Sequence, residues 1–226
     1  METGWTRRPS DELVTAVRDL FPRLTPDEQR ISVALYQFLA QGRPVAREAL
    51  AARVGLPLAQ VDAVLREWYG VFYSAAGEII GYWGLTLKKM KHRFRVNGRL
   101  LFTWCAWDTL FIPQILGAVA EVESTCPATG DAILLTVGPS GIQAIYPDTT
   151  AVSFVTPEQA KLKENIVLNF CHYVHFFRSA TVAESWLSKH PGTRLLTLAE
   201  AWALGREKNA AQYAAITGLG NDQDET

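Results

Sequence analysis

The sequence predicts an α+β protein: a helical N-terminal domain followed by an antiparallel-sheet core with flanking helices. Three observations lead there. In the first third, apolar residues recur at helical spacing between clear helix start and stop signals. After about residue 100, short β-branched runs alternate with Pro- and Gly-containing turns. The chain has 226 residues, 48% hydrophobic and 20% charged, which is enough for a sizeable buried core in one large domain or two small ones. The expected division is residues 1–95, a core over 96–218, and a disordered tail over 219–226.

Thr25-Pro26-Asp27-Glu28 reads as a helix start. Thr25 caps the free amides, Pro26 suits the first turn and Glu28 completes a capping box. The helix ends at Gly42 and carries Ile31, Leu35, Phe38 and Leu39 as one apolar stripe. Val45 to Val54, the break Gly55-Leu56-Pro57 and Leu58 to Tyr69 form a helix-turn-helix pattern. Val71-Phe72-Tyr73, a turn at Ala76-Gly77 and Ile79 to Leu87 predict a hairpin, so residues 25–95 read as a winged-helix-like module. Strands are expected at Val119 to Ser124, Ala132 to Val137, Ile142 to Tyr146 and Val152 to Val155, with turns between them. Three helices, starting at Thr156-Pro157-Glu158-Gln159, at Thr181…Glu184 and at Thr197…Glu200, are expected to flank this antiparallel sheet.

Charge and cysteine usage exclude several functions. The net charge is −1, and no stretch approaches 18 uninterrupted apolar residues. The first residues (Glu2, Arg7, Arg8, Asp11, Glu12) lack the apolar core of a signal peptide. Three cysteines are too few, and odd in number, for a disulfide framework, so a cytoplasmic protein with reduced thiols is expected, with no membrane partner. Basic excess is confined to Lys88, Lys89, Lys91, Arg93, Arg95 and Arg99. The second helix of the helix-turn-helix pattern offers Gln60, Asp62, Arg66 and Glu67, more acid than base, so a structural or substrate-covering role is favoured over nucleic-acid binding. Gly138-Pro139-Ser140-Gly141 lacks the spacing and lysine of a phosphate loop, and no Gly-x-Ser-x-Gly occurs.

Two segments carry candidate chemistry. Trp104-Cys105-Ala106-Trp107-Asp108 sets a thiol and a carboxyl three residues apart, on one face if the segment is helical. Burial among tryptophans would raise the carboxyl pKa, while a helix start would lower that of the thiol. Phe170-Cys171-His172-Tyr173-Val174-His175-Phe176-Phe177 reads as a buried strand, with Cys171, Tyr173 and His175 on one face and His172 on the other. Each residue, taken singly, also has an ordinary structural reading: buried cysteines, a satisfied histidine, a helix-start carboxylate. Cys126 falls at a turn, where a structural role is expected. A zinc site from Cys105, Cys126, Cys171 and His175 is only weakly supported, because no Cys-x-x-Cys pair occurs.

Taken together, Gly42-Arg43-Pro44-Val45, Gly77-Glu78-Ile79-Ile80-Gly81-Tyr82, Gly84-Leu85-Thr86-Leu87, Trp104-Cys105-Ala106…Asp108-Thr109-Leu110, Cys126…Ala128-Thr129-Gly130, Phe170-Cys171…Val174-His175-Phe176-Phe177 and Ser188-Lys189-His190 resemble the organomercurial (alkylmercury) lyases of bacterial mercury resistance. The resemblance runs from about residue 35 to 216. It implies catalytic cysteines at Cys105 and Cys171, a catalytic aspartate at Asp108, all three meeting mercury as substrate or product, and a structural Cys126. It also implies a winged-helix-like domain not used for DNA, no required cofactor, turnover dependent on small thiols, and hand-off of Hg(II) to a mercuric reductase by a monomer or weak homodimer. Members often carry a second cysteine where this chain has His172. The competing classes are a metal-responsive winged-helix regulator and a non-catalytic thiol protein that binds mercury.

Overall fold

A computed structural model describes residues 9–156 and 159–215. The expected tail, and Pro157 and Glu158 of one expected helix start, lie outside the described residues. Helix α1 (Asp11–Leu20) is capped by Ser10, and α2 (Pro26–Leu39) by the Thr25/Glu28 box. Thr25 Oγ1 accepts from the Glu28 amide, and the Glu28 carboxylate accepts from the Thr25 amide at 2.7 Å. Ile31, Leu35 and Leu39 are fully buried and Phe38 half-buried, so the expected stripe faces the core. Helices α3 (Arg47–Val54) and α4 (Leu58–Glu67) are separated at Gly55, whose φ of +69° only a residue free of a Cβ adopts without strain.

The chain then enters an eight-stranded antiparallel sheet. Its strands are β1 (Val71–Tyr73), β2 (Ile79–Tyr82), β3 (Leu85–Thr86), β4 (His92–Val96), β5 (Arg99–Thr103), β6 (Ala120–Thr125), β7 (Ala132–Gly138) and β8 (Gly141–Tyr146). The order across the sheet is β1-β2-β3-β5-β4-β6-β7-β8. Strands β4 and β6 alternate buried and exposed residues along their length, as one covered face requires. Helix α5 (Asp108–Leu116) interrupts the sheet between β5 and β6 and is buried almost throughout. The boundary expected between residues 95 and 96 falls inside β4, which pairs with β5 on one side and β6 on the other.

A second, three-stranded sheet has the order β10-β9-β11, from β9 (Ala151–Val155), β10 (Phe176–Phe177) and β11 (Thr193–Thr197). Helix α6 (Gln159–Asn169) is broken at Asn165, whose side chain accepts from the Leu168 amide and restarts the last turn. Helices α7 (Ala180–Leu187) and α8 (Leu198–Tyr213) complete the fold. The Thr197/Glu200 capping box forms as expected. Helix α7 starts earlier than expected: Ser179, not Thr181, accepts from the Val182 amide. A larger correction concerns residues 170–177. Cys171–Tyr173 is a 3₁₀ turn and only Phe176–Phe177 is strand. The Val174 amide closes that turn on the Cys171 carbonyl, and the Val174 carbonyl accepts from the Ala106 amide, which ties this segment to the Cys105 segment.

Candidate active site

The Cys105 segment is a turn rather than a helix, and Asp108 is the first residue of α5. Their proximity comes from a local hydrogen bond: the Cys105 amide donates to the Asp108 carboxylate at 2.8 Å. Thr103 Oγ1 donates to the Cys105 carbonyl at 3.0 Å, and Thr109 Oγ1 to the Ala106 carbonyl at 2.7 Å, so the turn is fixed on both sides. The 3₁₀ turn delivers Cys171. The ligand atoms of Cys105, Asp108 and Cys171 all lie within 4.8 Å of one another, and all three residues are buried. Cys126 is held between β6 and β7 by backbone hydrogen bonds with Asp131 and Gly130. Neither it nor His175 belongs to the metal-capable cluster found among the described residues, so the four-ligand zinc arrangement is not formed.

Burial dominates the electrostatics. It pushes the Asp108 carboxyl up to about 6, against the opposing pull of the Cys105 amide and thiol and of Lys208. The expected lowering of the Cys105 thiol does not occur. Burial holds it well above the ordinary thiol value, reinforced by its hydrogen bond to Cys171 and the nearby Asp108 charge. Cys171 is also raised by burial and by the nearby Asp108 charge, with the neighbouring Cys105 thiol acting in the opposite direction. Both thiols are thus held in their protonated form beside the Asp108 carboxyl, so each must give up a proton to bind a metal ion.

Cys171 also stands at a threshold. It lines an open cleft of about 500 Å³ and, with Trp104, the small enclosed niche beside Asp108. Cys105, fully buried, lines neither. His172 does not face away as a strand would have it but joins Cys171 and His175 in the cleft wall.

Two contributors were not singled out as functional from sequence. Gly84, with φ +99°, lies so close to Asp108 that a Cβ would sit 2.5 Å from the carboxyl carbon. Lys208 of α8 is buried, with its ammonium 4.1 Å from the centre of the Phe111 ring, and burial lowers it to about 7 despite the attraction of Asp108. The glycine lay within a quoted motif, but the lysine had no local signal.

Two thiols and a carboxyl are buried together behind a cleft that Cys171 lines, a donor set suited to a soft, thiophilic metal ion. The sequence profile of the MerB alkylmercury lyase family matches residues 85–209, and the chain belongs to this family. An alkylmercury lyase from Pseudomonas putida is 44% identical over 173 residues, covering 76% of this chain and 80% of that protein. Those of Staphylococcus epidermidis and Streptomyces lividans are 39% and 42% identical, over 78% and 81% of this chain and 80% and 83% of theirs. A crystal structure described as the mercury-bound form of MerB2 superposes with a TM-score of 0.73 and 25% identity, covering 90% of this chain and all of that one. The function is thus organomercurial lyase, the cleavage of carbon–mercury bonds.

Proposed function

We propose that Cys105, Cys171 and Asp108 carry this cleavage by protonolysis. The observation behind the proposal is that their ligand atoms lie within 4.8 Å of one another in a buried pocket. Sulfur–metal bonds of roughly 2.3 Å let two thiolates at such a separation share one ion without backbone movement. R–Hg–SR′ reaches Cys171 first, because that residue lines the cleft and Cys105 does not. The Cys171–mercury bond forms as the mercury–SR′ bond breaks, and the Cys171 proton leaves with the carrier thiol. Cys105 then passes its proton to Asp108 and bonds mercury. With two thiolates on the metal, electron density moves onto carbon; Asp108 returns the proton there and R–H departs. Mercury stays divalent throughout, held finally by two sulfurs. At pH 7 a carboxyl with pKa about 6 is protonated in roughly one molecule in ten, against one in a thousand for an ordinary aspartate, so it can both take and give the proton.

The same reading assigns the surroundings. Residues 1–95 act as a winged-helix-like cover and 96–218 as the catalytic core. On α4, Glu67 is exposed and Asp62 is half-buried and paired with Arg47, a surface unsuited to a phosphate backbone. Among the described residues no helix is long and apolar enough to cross a membrane, and a cytoplasmic monomer or weak homodimer is proposed. Small thiols are the only co-reactants the chemistry calls for, and Hg(II) passes on to a thiol carrier or a mercuric reductase.

The test is anaerobic incubation of reduced protein with phenylmercury and methylmercury in excess small thiol, following benzene and methane by gas chromatography. Hydrocarbon released catalytically by the wild type, and by neither Cys105→Ala nor Asp108→Ala, is the expected result. Mercury bound without hydrocarbon would overturn the proposed roles in favour of sequestration.

A further inference from the structure

Four of the six basic residues in the segment that no nucleic-acid surface accounts for fall into two pairs. Arg93 and Arg95 point across the β4–β6 ladder to Glu123 and Glu121, at 2.9 and 3.7 Å. Lys89 and Lys91 lie in the connection before β4, are exposed, and form no ion pair with any described residue. Both line the cleft that ends on Cys171. Among the described residues no acidic side chain lines it. Two of its histidines add little positive charge: burial lowers His92 to about 3 and His175 to about 4, each helped by Lys91. Its apolar lining comes from Met90, Trp104, Val167 and Leu168, the last 61% exposed. At about 500 Å³ the cleft is the size of a small-molecule site.

We propose that this cleft binds the carrier thiol of the substrate, and that Lys89 and Lys91 recognise a carboxylate on that carrier. The preferred substrate is thus an anionic adduct, R–Hg–S–R′–COO⁻, with its organic group against the apolar lining and its mercury at Cys171. The inference rests on the lyase reading, since it concerns how the mercurial arrives. In a medium rich in thiols an R–Hg⁺ ion is always sulfur-bound, so the enzyme meets the adduct and not the bare ion. Two ammonium groups with no ion-pair partner among the described residues, on a cleft that Cys171 also lines, complement a short acid carried by that sulfur. Capture changes no oxidation state. One mercury–sulfur bond replaces another, and the carrier leaves as the free thiol with the proton of Cys171.

The experiment measures kcat/KM for benzene release from phenylmercury adducts of three thiols of similar size: 3-mercaptopropionate, 2-mercaptoethanol and cysteamine. Exposed charge pairs contribute modestly, so the wild type is expected to favour the anionic over the cationic adduct by roughly three- to ten-fold, with the preference shrinking as salt is raised. Intrinsic differences among the thiols are removed by comparing ratios between proteins. In Lys89→Gln/Lys91→Gln the ratio should collapse. In Lys89→Glu/Lys91→Glu the order should invert, an outcome that a misfolded protein cannot produce. Benzene from all three adducts with ratios identical in wild type and charge-reversed protein would overturn the carrier site and leave the lyase intact. No benzene from any adduct would overturn the proposed chemistry itself.

Discussion

At the residue scale, Asp108 is poised by opposing effects, of which burial is the largest. Burial raises it, and the Cys105 amide, the Cys105 thiol and Lys208 restrain it near 6. Asp108→Asn removes the proton carrier while preserving shape, so it should still bind one mercury between Cys105 and Cys171 yet release no hydrocarbon; a mercury titration beside gas chromatography checks both. Cys105→Ser and Cys171→Ser should each abolish turnover, whereas Cys126→Ser should affect mainly stability. Gly84→Ala is the subtler probe. Its new methyl group would occupy space within about 2.5 Å of the Asp108 carboxyl carbon, on a backbone where L-residues are strained. A shift of the carboxyl by about 1 Å corresponds to a loss of roughly a hundred-fold in single-turnover rate, with the mercury-binding stoichiometry intact. The Cys105–Asp108 pairing was legible from three-residue spacing. The Gly84 contact was not, because it forms only when the β2–β3 turn is laid against the start of α5.

At the element scale, the capping boxes before α2 and α8 were legible because cap and partner lie within four residues. The segment 170–177 was misread because its aromatic and β-branched residues satisfy strand propensity equally well in a tight turn packed inside a core. Its true shape depends on Ala106 and β9, both far away in sequence. Helix α8 shows a different long-range effect. Gly205 brings its backbone onto Phe111, and Lys208 follows into the apolar interior against Phe21, Phe111 and Tyr213. A lysine lowered to about 7 in the folded state and near 10.5 when unfolded makes the unfolded chain bind more protons between those values. Stability from this group is therefore fully present only at high pH and is lost as pH falls from about 10.5 to 7. Lys208→Met should flatten that slope in urea unfolding and add about 1–4 kcal/mol at pH 7. By removing the charge that restrains Asp108, it should also move the acid limb of the activity profile to higher pH.

At the scale of the whole molecule, an antiparallel α+β architecture could be read from the alternation of short strands and turns. The strand order could not, since β5 and β4 exchange places in the sheet and β9 leaves it to form another. The two sheets meet where the His92 ring packs edge-on against Phe176 at 5.9 Å, with His92 Nδ1 and the Ser124 hydroxyl 2.8 Å apart. His175 sits beside this junction and stacks edge-on against Trp186. Burial lowers both imidazoles, to about 3 and about 4, from a usual value near 6.5, so the folded state holds them neutral. Their contribution is present above pH 6.5 and is lost as pH falls through 4 towards 3, because protons then bind the unfolded chain first. Asp108 acts with the opposite sign: raised to about 6, it contributes stability below about pH 4 that is lost as pH rises through 6. Two histidines against one carboxyl give a net loss in acid of a few kcal/mol. Urea unfolding followed between pH 7 and 4 should therefore show falling stability in wild type, with a shallower fall in His92→Gln and the shallowest in His92→Gln/His175→Gln. Equal slopes in all three proteins would mean that the junction between the sheets does not govern acid unfolding.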